Sequence, residues 1–297
     1  MKCNQCPRKC NAERNENLCL GFCKAPLTLK IARAALHYWE EPCISGENGS
    51  GTVFFSGCSL GCVFCQNREI SKEGKGELIS VNRLAEIFSE LENKGAHNIN
   101  LVTPSHYIPQ IIKALDIYKP KIPIVYNSGG YDDVNSLKML EGYVDIFLMD
   151  LKYMSEDRAK KYSLAKDYPK IAQKALLEAY RQQPECILKD GIMQKGVIVR
   201  HLILPLGTND AISVFDFVRK NMPDAYFSIM SQYTPCGNLE DFKELNRKLT
   251  KREYNKVLDY IIESGFENCY MQETKSSSKE YIPAFDLKGV KKQQNGD

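Results

Sequence analysis

The sequence predicts an α/β protein: a partial (β/α)6 TIM-like barrel carrying a small N-terminal Cys-rich metal-binding lobe. Two observations lead there. Beyond residue 50, short apolar or β-branched runs alternate with stretches of helical period, a pattern that specifies parallel strands joined by right-handed crossovers and able to curl into a barrel. Nine of the twelve cysteines lie within the first 65 of 297 residues, and clustered thiols in a chain of this size point to metal rather than to disulfides.

The elements follow in order. Residues 1–26 form a cysteine-dense segment with no sustained period and too few apolar residues for a core, so metal ligands are expected to organise it. Leu29, Ile31, Ala32, Ala35, Leu36 and Trp39 recur at helical spacing, which predicts a linking helix from Leu27 to Glu41 and a loop to residue 50. The barrel is expected over 51–275. Its strands are read at Thr52–Ser56, Asn98–Val102, Pro123–Tyr126, Val144–Met149, Val197–Leu204 and Tyr226–Met230. Helices are read at Val81–Lys94, Ile108–Tyr118, Val134–Glu141, Pro169–Gln182 and Ala211–Asn221. The long connection between the fourth and fifth strands is expected to cover the open mouth. A C-terminal extension spans 276–297, and its polar, basic end from Lys288 to Asp297 reads as frayed.

The formal charge of +3 is small against 40 basic and 37 acidic residues, so the totals argue neither for nucleic acid nor for a membrane surface. The opening residues carry no apolar signal region and no apolar run approaches the roughly 20 residues of a spanning helix. A cytoplasmic location is the expectation.

Chemistry concentrates in Cys58-Ser59-Leu60-Gly61-Cys62-Val63-Phe64-Cys65, a loop directly after the first barrel strand. Gly57 and Gly61 allow the backbone to wrap tightly around a bulky ligand. A four-iron cubane takes one thiolate per iron, so three cysteines leave one iron open to an exogenous chelating group. The amine and carboxylate of S-adenosylmethionine (SAM) would supply it.

From Gly51 through Asn67 the stretch Gly-Thr-Val-Phe-Phe-Ser-Gly-Cys-Ser-Leu-Gly-Cys-Val-Phe-Cys-Gln-Asn resembles the radical SAM superfamily, and within it the branch related to pyruvate formate-lyase activating enzyme. Cys-Pro-Arg-Lys-Cys near the N-terminus, His37-Tyr38-Trp39-Glu40-Glu41-Pro42 and Val-Thr-Pro-Ser-His-Tyr resemble the PflX-like subgroup. The resemblance spans essentially residues 3–275. It implies a barrel of the radical SAM type, a [4Fe-4S] cluster on Cys58, Cys62 and Cys65, and Phe64 beside the cofactor. It also implies reductive cleavage of SAM to methionine and a 5′-deoxyadenosyl radical that takes hydrogen from an unactivated carbon. Asp150-Leu151-Lys152 resembles the Asp-Leu-Lys that borders the SAM and substrate pocket in the activases, which makes Asp150 and Lys152 cofactor-binding candidates and Lys152 a catalytic one. Asn127, Ser128 and Gly129 occupy the position of a polar turn near SAM, without the acidic residue usual there. The Gly-Gly-Glu turn common after the second strand is replaced by Thr103-Pro104-Ser105-His106, whose Thr103 and Ser105 hydroxyls are candidates to accept from the SAM amine.

Cys3, Cys6, Cys10, Cys19 and Cys23 provide enough thiolates for a four-cysteine zinc site or a second iron-sulfur cluster. The resemblance favours Cys3, Cys6, Cys10 and Cys23 and leaves Cys19 spare. His201 and Arg200 are further catalytic candidates, the histidine for substrate protons and the arginine for a carboxylate. A salt bridge closing the barrel is the alternative for Arg200. Glu40 and Glu41 read equally well as a solvated helix end.

The leading functional expectation is an oxygen-sensitive, activase-like enzyme that makes a glycyl radical on a partner protein. A radical SAM enzyme acting on a small molecule or peptide is the second, and a non-redox zinc-binding module the third. A flavodoxin or ferredoxin is the expected electron donor.

Overall fold

The computed structural model describes residues 2–271 and 283–292. Ten strands among them form one sheet: β1 (Leu29–His37), β2 (Ser50–Phe55), β3 (Glu77–Ile79), β4 (Ile99–Val102), β5 (Ile124–Ser128), β6 (Ile146–Asp150), β7 (Ile187–Lys189), β8 (Ile192–Leu202), β9 (Tyr226–Met230) and β10 (Cys269–Met271). The helices among the described residues are α1 (Pro42–Ser45), α2 (Arg68–Ser71), α3 (Val81–Asn93), α4 (Ile108–Ile117), α5 (Val134–Lys138), α6 (Glu156–Ser163), α7 (Tyr168–Gln182), α8 (Thr208–Asn221) and α9 (Lys251–Glu263).

The strand order is β10-β9-β8-β6-β5-β4-β2-β1-β3, with β7 antiparallel against β8. From β2 to β10 the path is parallel, and each new strand adds on the same side of the last. That monotonic winding is barrel-like and has no reversal of strand order of the doubly wound kind. The path has two ends, so the barrel is open. All six predicted barrel strands and their five helices are present, with ends shifted by a few residues.

The predicted linking helix over 27–41 is instead β1, antiparallel to β2 and to β3. A register shift between Ile31 and Arg33 explains the misleading period. Leu29, Ile31 and Ala34 all enter the main core, and a bulge turns strand spacing of two into a local spacing of three. The frayed C-terminus is also corrected for its described part. Residues 283–292 lie along β1, where Leu287 and Ala34 donate backbone bonds to Ala32 and Lys288. Val290 is fully buried, and Arg83 donates to the carbonyls of Gly289, Val290 and Lys291. Residues 293–297 lie outside the described residues. The long connection after β6 holds α6, α7 and β7, and α6 backs the cysteine loop from the side. No described helix is long and apolar enough to cross a membrane.

Helices pack outside the sheet on a continuous core that includes Phe88, Leu101, Phe147, Leu176, Val199 and Phe215. Inside, α1 plugs the floor, with Cys43 and Ile44 against Val125, Ile146, Leu148 and Ile198. The interior above this floor is polar.

Candidate active site

The cysteine loop leaves β2 through Gly57, whose φ of 91° suits glycine. A Cβ there would lie 2.6 Å from the Cys23 carbonyl oxygen. Backbone bonds from Gly61 to Ser163 (3.2 Å) and from Val63 to Tyr162 (2.9 Å) tie the loop to the end of α6. Each thiol has a polar neighbour: the Leu60 N–H donates to Cys58 Sγ at 3.4 Å, Cys62 Sγ lies 3.0 Å from Ser163 Oγ, and Cys65 Sγ lies 3.3 Å from Ser71 Oγ. All are free thiols.

Burial pushes the Cys58 and Cys62 thiols up, as do the neighbouring sulfurs, while the Lys152 ammonium pulls both down. These thiols therefore stay protonated until a metal displaces the proton. Among the described residues no three Cys, His, Asp or Glu side chains are gathered closely enough to hold one ion. A cubane has no such requirement, because each thiolate binds a different iron. Three free thiols on a hydrogen-bonded loop beside an open cavity fit that group.

The cavity, of about 250 Å³, has Cys62, Phe64 and Cys65 on one wall. Asp150, Lys152 and Arg200 form its base, and Leu202, Met230, Gln232, Tyr233 and Thr234 the facing wall. These base residues sit at the C-terminal ends of β6 and β8, where parallel barrels place their chemistry. Phe64 stacks edge-on against Tyr233 at 5.9 Å, and its carbonyl accepts from Cys236 Sγ at 2.9 Å. The Tyr168 hydroxyl clamps the base: it accepts from Lys152 N at 2.9 Å and points to the carbonyls of Gly129 and Asp150.

Arg200 is the centre of a charge network. Its Nε donates to Asp150 Oδ1 at 3.0 Å, Nη1 to Glu40 Oε2 at 2.9 Å and Nη2 to Asn127 Oδ1 at 2.6 Å. Lys152 pairs with the other Asp150 oxygen. Burial would raise the Asp150 carboxyl, but Lys152 and then Arg200 outweigh it and hold it below its ordinary value. Burial likewise lowers Lys152, and the Asp150 carboxylate reverses that, leaving the ammonium charged. The alternative foreseen for Arg200, a barrel-closing ion pair, is present, and the same side chain also faces the cavity.

Glu40 and Glu41 are not a solvated helix end. Preceding α1, they turn inside the sheet, where Glu40 Oε1 also accepts from Asn100 Nδ2 at 3.2 Å and Asn127 Nδ2 at 3.3 Å. Glu41 is buried, and burial raises its carboxyl.

His201 does not line the cavity. Neighbouring side chains on a strand point to opposite faces, so with Arg200 inward His201 is buried on the helix side, its Nδ1 2.7 Å from the Leu151 carbonyl. Ser105 and Ser128 are also drawn away, for their hydroxyls donate to Asp132 Oδ1 and Oδ2 at 2.5 Å each, alongside Tyr126 at 2.8 Å. Asp132 is buried and its carboxyl raised by burial. The sequence reading missed it because it follows the Asn127-Ser128-Gly129-Gly130 turn rather than sitting within it. Gly129 remains at the site: a Cβ there would lie 3.1 Å from Leu60 Cδ1 and 3.5 Å from Lys152 Cε. Thr103 adopts φ of 58°, rare for a β-branched residue, and its N–H donates to Asn127 O at 2.8 Å.

Three thiols able to load a cluster, two of them lining a charged cavity at the C-terminal edge of a parallel barrel, define an iron-sulfur enzyme of the α/β class. The Radical SAM superfamily model matches residues 52–193, and the chain belongs to that superfamily. An uncharacterized protein of Methanocaldococcus jannaschii is 30% identical over 278 residues, covering 90% of this chain and 76% of its relative. The fold is shared with SuiB of Streptococcus suis. Bound to its precursor peptide SuiA, SuiB gives a TM-score of 0.51 at 12% identity, with 73% of this chain and 46% of that chain covered. Bound to S-adenosylmethionine it gives 0.53 at 14%, with 73% and 48% covered. The chain thus spans about half the length of these solved structures. The superfamily brings a [4Fe-4S] cluster and SAM as cofactors, and the non-redox zinc module is set aside.

Proposed function

We propose that this radical SAM enzyme is activase-like and abstracts hydrogen from a glycine of a partner protein. The observation that carries the reading is the convergence of Cys62, Phe64 and Cys65 with Asp150 and Lys152 around one cavity, since these are the residues that the resemblance to the activases singles out. When bound at Cys58, Cys62 and Cys65, the cluster and SAM supply a carbon-centred radical that takes hydrogen from an unactivated C–H bond. The protein's own part is positioning. Lys152 and Arg200 offer positive charge to a carboxylate, Asp150 accepts from an ammonium or hydroxyl, and the strained Thr103 turn and Gly129 let the backbone approach the ligand. Leu202, Met230 and Tyr233 add apolar surface to the opposite wall beside the polar Gln232 and Thr234. Electrons come from a flavodoxin or ferredoxin.

The test is anaerobic reconstitution with iron and sulfide, then dithionite and SAM, with 5′-deoxyadenosine measured by chromatography. Mixtures with glycyl radical enzymes, frozen for electron paramagnetic resonance, should show a glycyl doublet for the cognate partner. Cleavage without a doublet, accompanied by deuterium transfer from a labelled peptide or small molecule, would replace the activase reading. A cluster-loaded protein with no cleavage would refute both.

A further inference from the structure

The cysteine loop comes close to the protein surface away from the cavity. Cys62, Phe64 and Cys65 line the cavity, whereas the backbone of Gly61, next to Cys62, is covered by two side chains that do not. A Cβ on Gly61 would lie 2.9 Å from Leu164 Cδ1 and 3.1 Å from Phe22 Cζ. Leu164 is 55% exposed and Phe22 42%, and Leu20, two residues before Phe22, is 75% exposed. Leu164 also ends α6 in the left-handed conformation, with φ of 55°. Glycine is the usual residue there, and a leucine meets a steric clash that so exposed a side chain does not offset by burial.

Short links join this apolar patch to the thiols. The Gly61 N–H donates to the Ser163 carbonyl at 3.2 Å, and Cys62 Sγ lies 3.0 Å from Ser163 Oγ, so Leu164 is one residue from a direct neighbour of Cys62. Arg8 fastens the patch together. Its Nε donates to Ser59 O at 2.9 Å and Nη1 to Leu164 O at 2.5 Å, while its guanidinium lies over Phe22 at 4.0 Å. The surroundings are basic. Lys9 follows Arg8, and Lys160 stands one helical turn before Leu164 on the same face of α6; both are exposed. The acidic Glu156 and Asp157 stand in the first turn of α6, at its other end, and Asp167 accepts from the Tyr131 hydroxyl at 2.8 Å.

We infer that Leu164 and Phe22, with Lys9 and Lys160 beside them, form the docking surface for an acidic electron-transfer protein. The inference rests on the proposed use of a protein electron donor and assigns it a place. An exposed apolar centre with a charged rim is the composition of a recognition patch. Redox encounters are small and transient, so a few side chains suffice, and opposite charge sets their association rate. The patch lies against the backbone beside Cys62 and outside the cavity lining, so a donor seated on it leaves the cavity free for SAM and substrate. One electron passes from the donor, oxidised by one equivalent, to the site held by Cys58, Cys62 and Cys65, reduced by one. No bond forms or breaks at this face and no proton moves.

The test compares the cluster-loaded parent with two surface variants, Leu164→Asn, which suits a left-handed backbone, and Lys9→Glu combined with Lys160→Glu. Flavodoxin hydroquinone and reduced ferredoxin are each mixed with the chain in a stopped-flow instrument, and bleaching of the iron-sulfur absorption is followed. Binding of the oxidised donors is measured alongside by calorimetry. The double variant should be reduced about 10-fold more slowly at low salt, with the gap closing at 0.5 M salt. Leu164→Asn should bind about 5-fold more weakly at every salt concentration. Dithionite, which needs no docking, should drive SAM cleavage equally in all three. Reduction of both variants at the parent's rate by both donors would overturn the inference, as would loss of dithionite-driven cleavage in the variants, which would make the patch a support for the loop. Failure of both donors to reduce a parent that dithionite does reduce would instead remove the protein-donor reading itself.

Discussion

Replacing Arg200 by Met removes a cation from between two carboxylates, Asp150 at 3.0 Å and Glu40 at 2.9 Å, in a mostly buried layer. At an effective dielectric near 20, unit charges about 4 Å apart interact by about 4 kcal/mol, and two such attractions disappear together. Relief from burying the guanidinium offsets part of this, leaving an expected loss of about 3–5 kcal/mol, the usual cost of orphaning a buried partner. At about 2 °C per kcal/mol for a chain of this size, the melting temperature falls by roughly 6–10 °C. The pH dependence follows from Asp150. Its carboxyl is held low in the parent, so its stabilising contribution is present above the unfolded value of about 3.9 and fades as pH falls through the lower folded value. Without Arg200 only Lys152 opposes burial, the Asp150 pKa rises, and protonation relieves the variant at acid pH. The gap in melting temperature between parent and variant should therefore be wide at pH 7 and narrower at pH 4, measured by circular dichroism on the metal-free protein. Adding Glu40→Gln should recover at least about 1 kcal/mol, because one of the orphaned charges is gone. A fall of less than about 2 °C, or a gap that is equal at both pH values, would refute the electrostatic account.

Cys58→Ala or Cys65→Ala should abolish SAM cleavage while leaving the fold intact by circular dichroism; retained 5′-deoxyadenosine production would remove the basis of the site. Gly130→Ala should destabilise by several kcal/mol, since φ is 78° and a Cβ would overlap the Asp150 carbonyl oxygen; an unchanged urea midpoint would contradict the packing of β5 against β6. Arg83→Ala should cost about 1–3 kcal/mol, because it frees the carbonyls of Gly289, Val290 and Lys291 from their donor. It should also make the C-terminal segment a preferred site of limited proteolysis, and equal cleavage rates in parent and variant would show that the strap does not depend on this arginine.

The sequence by itself determined much of the scaffold. Strands from β2 to β9 alternate with amphipathic helices because each must bury one face, and that periodicity is written locally in runs such as Ile99–Val102 and Val81–Asn93. The cysteine triplet was equally legible, since its ligands sit within eight residues and their spacing follows from local wrapping. The resemblance to the activases pointed to Asp150 and Lys152, and both line the cavity beside the cysteine loop. Tertiary structure decided the rest, for reasons that local patterns do not carry. A bulge in β1 gave a strand the period of a helix. The inward turn of Glu40 and Glu41 depends on α1 plugging a barrel built from distant strands, and Arg200 and His201 were separated only when β8 fixed which face points inward. Asp132 claimed Ser105 and Ser128 through contacts spanning three elements. In the lobe, counting thiols suggested metal, but only folding showed Cys19 buried with Cys3, Cys6 and Cys23 and Leu18 and Leu20 exposed, because burial is a property of the assembled chain and not of any residue's neighbours in sequence.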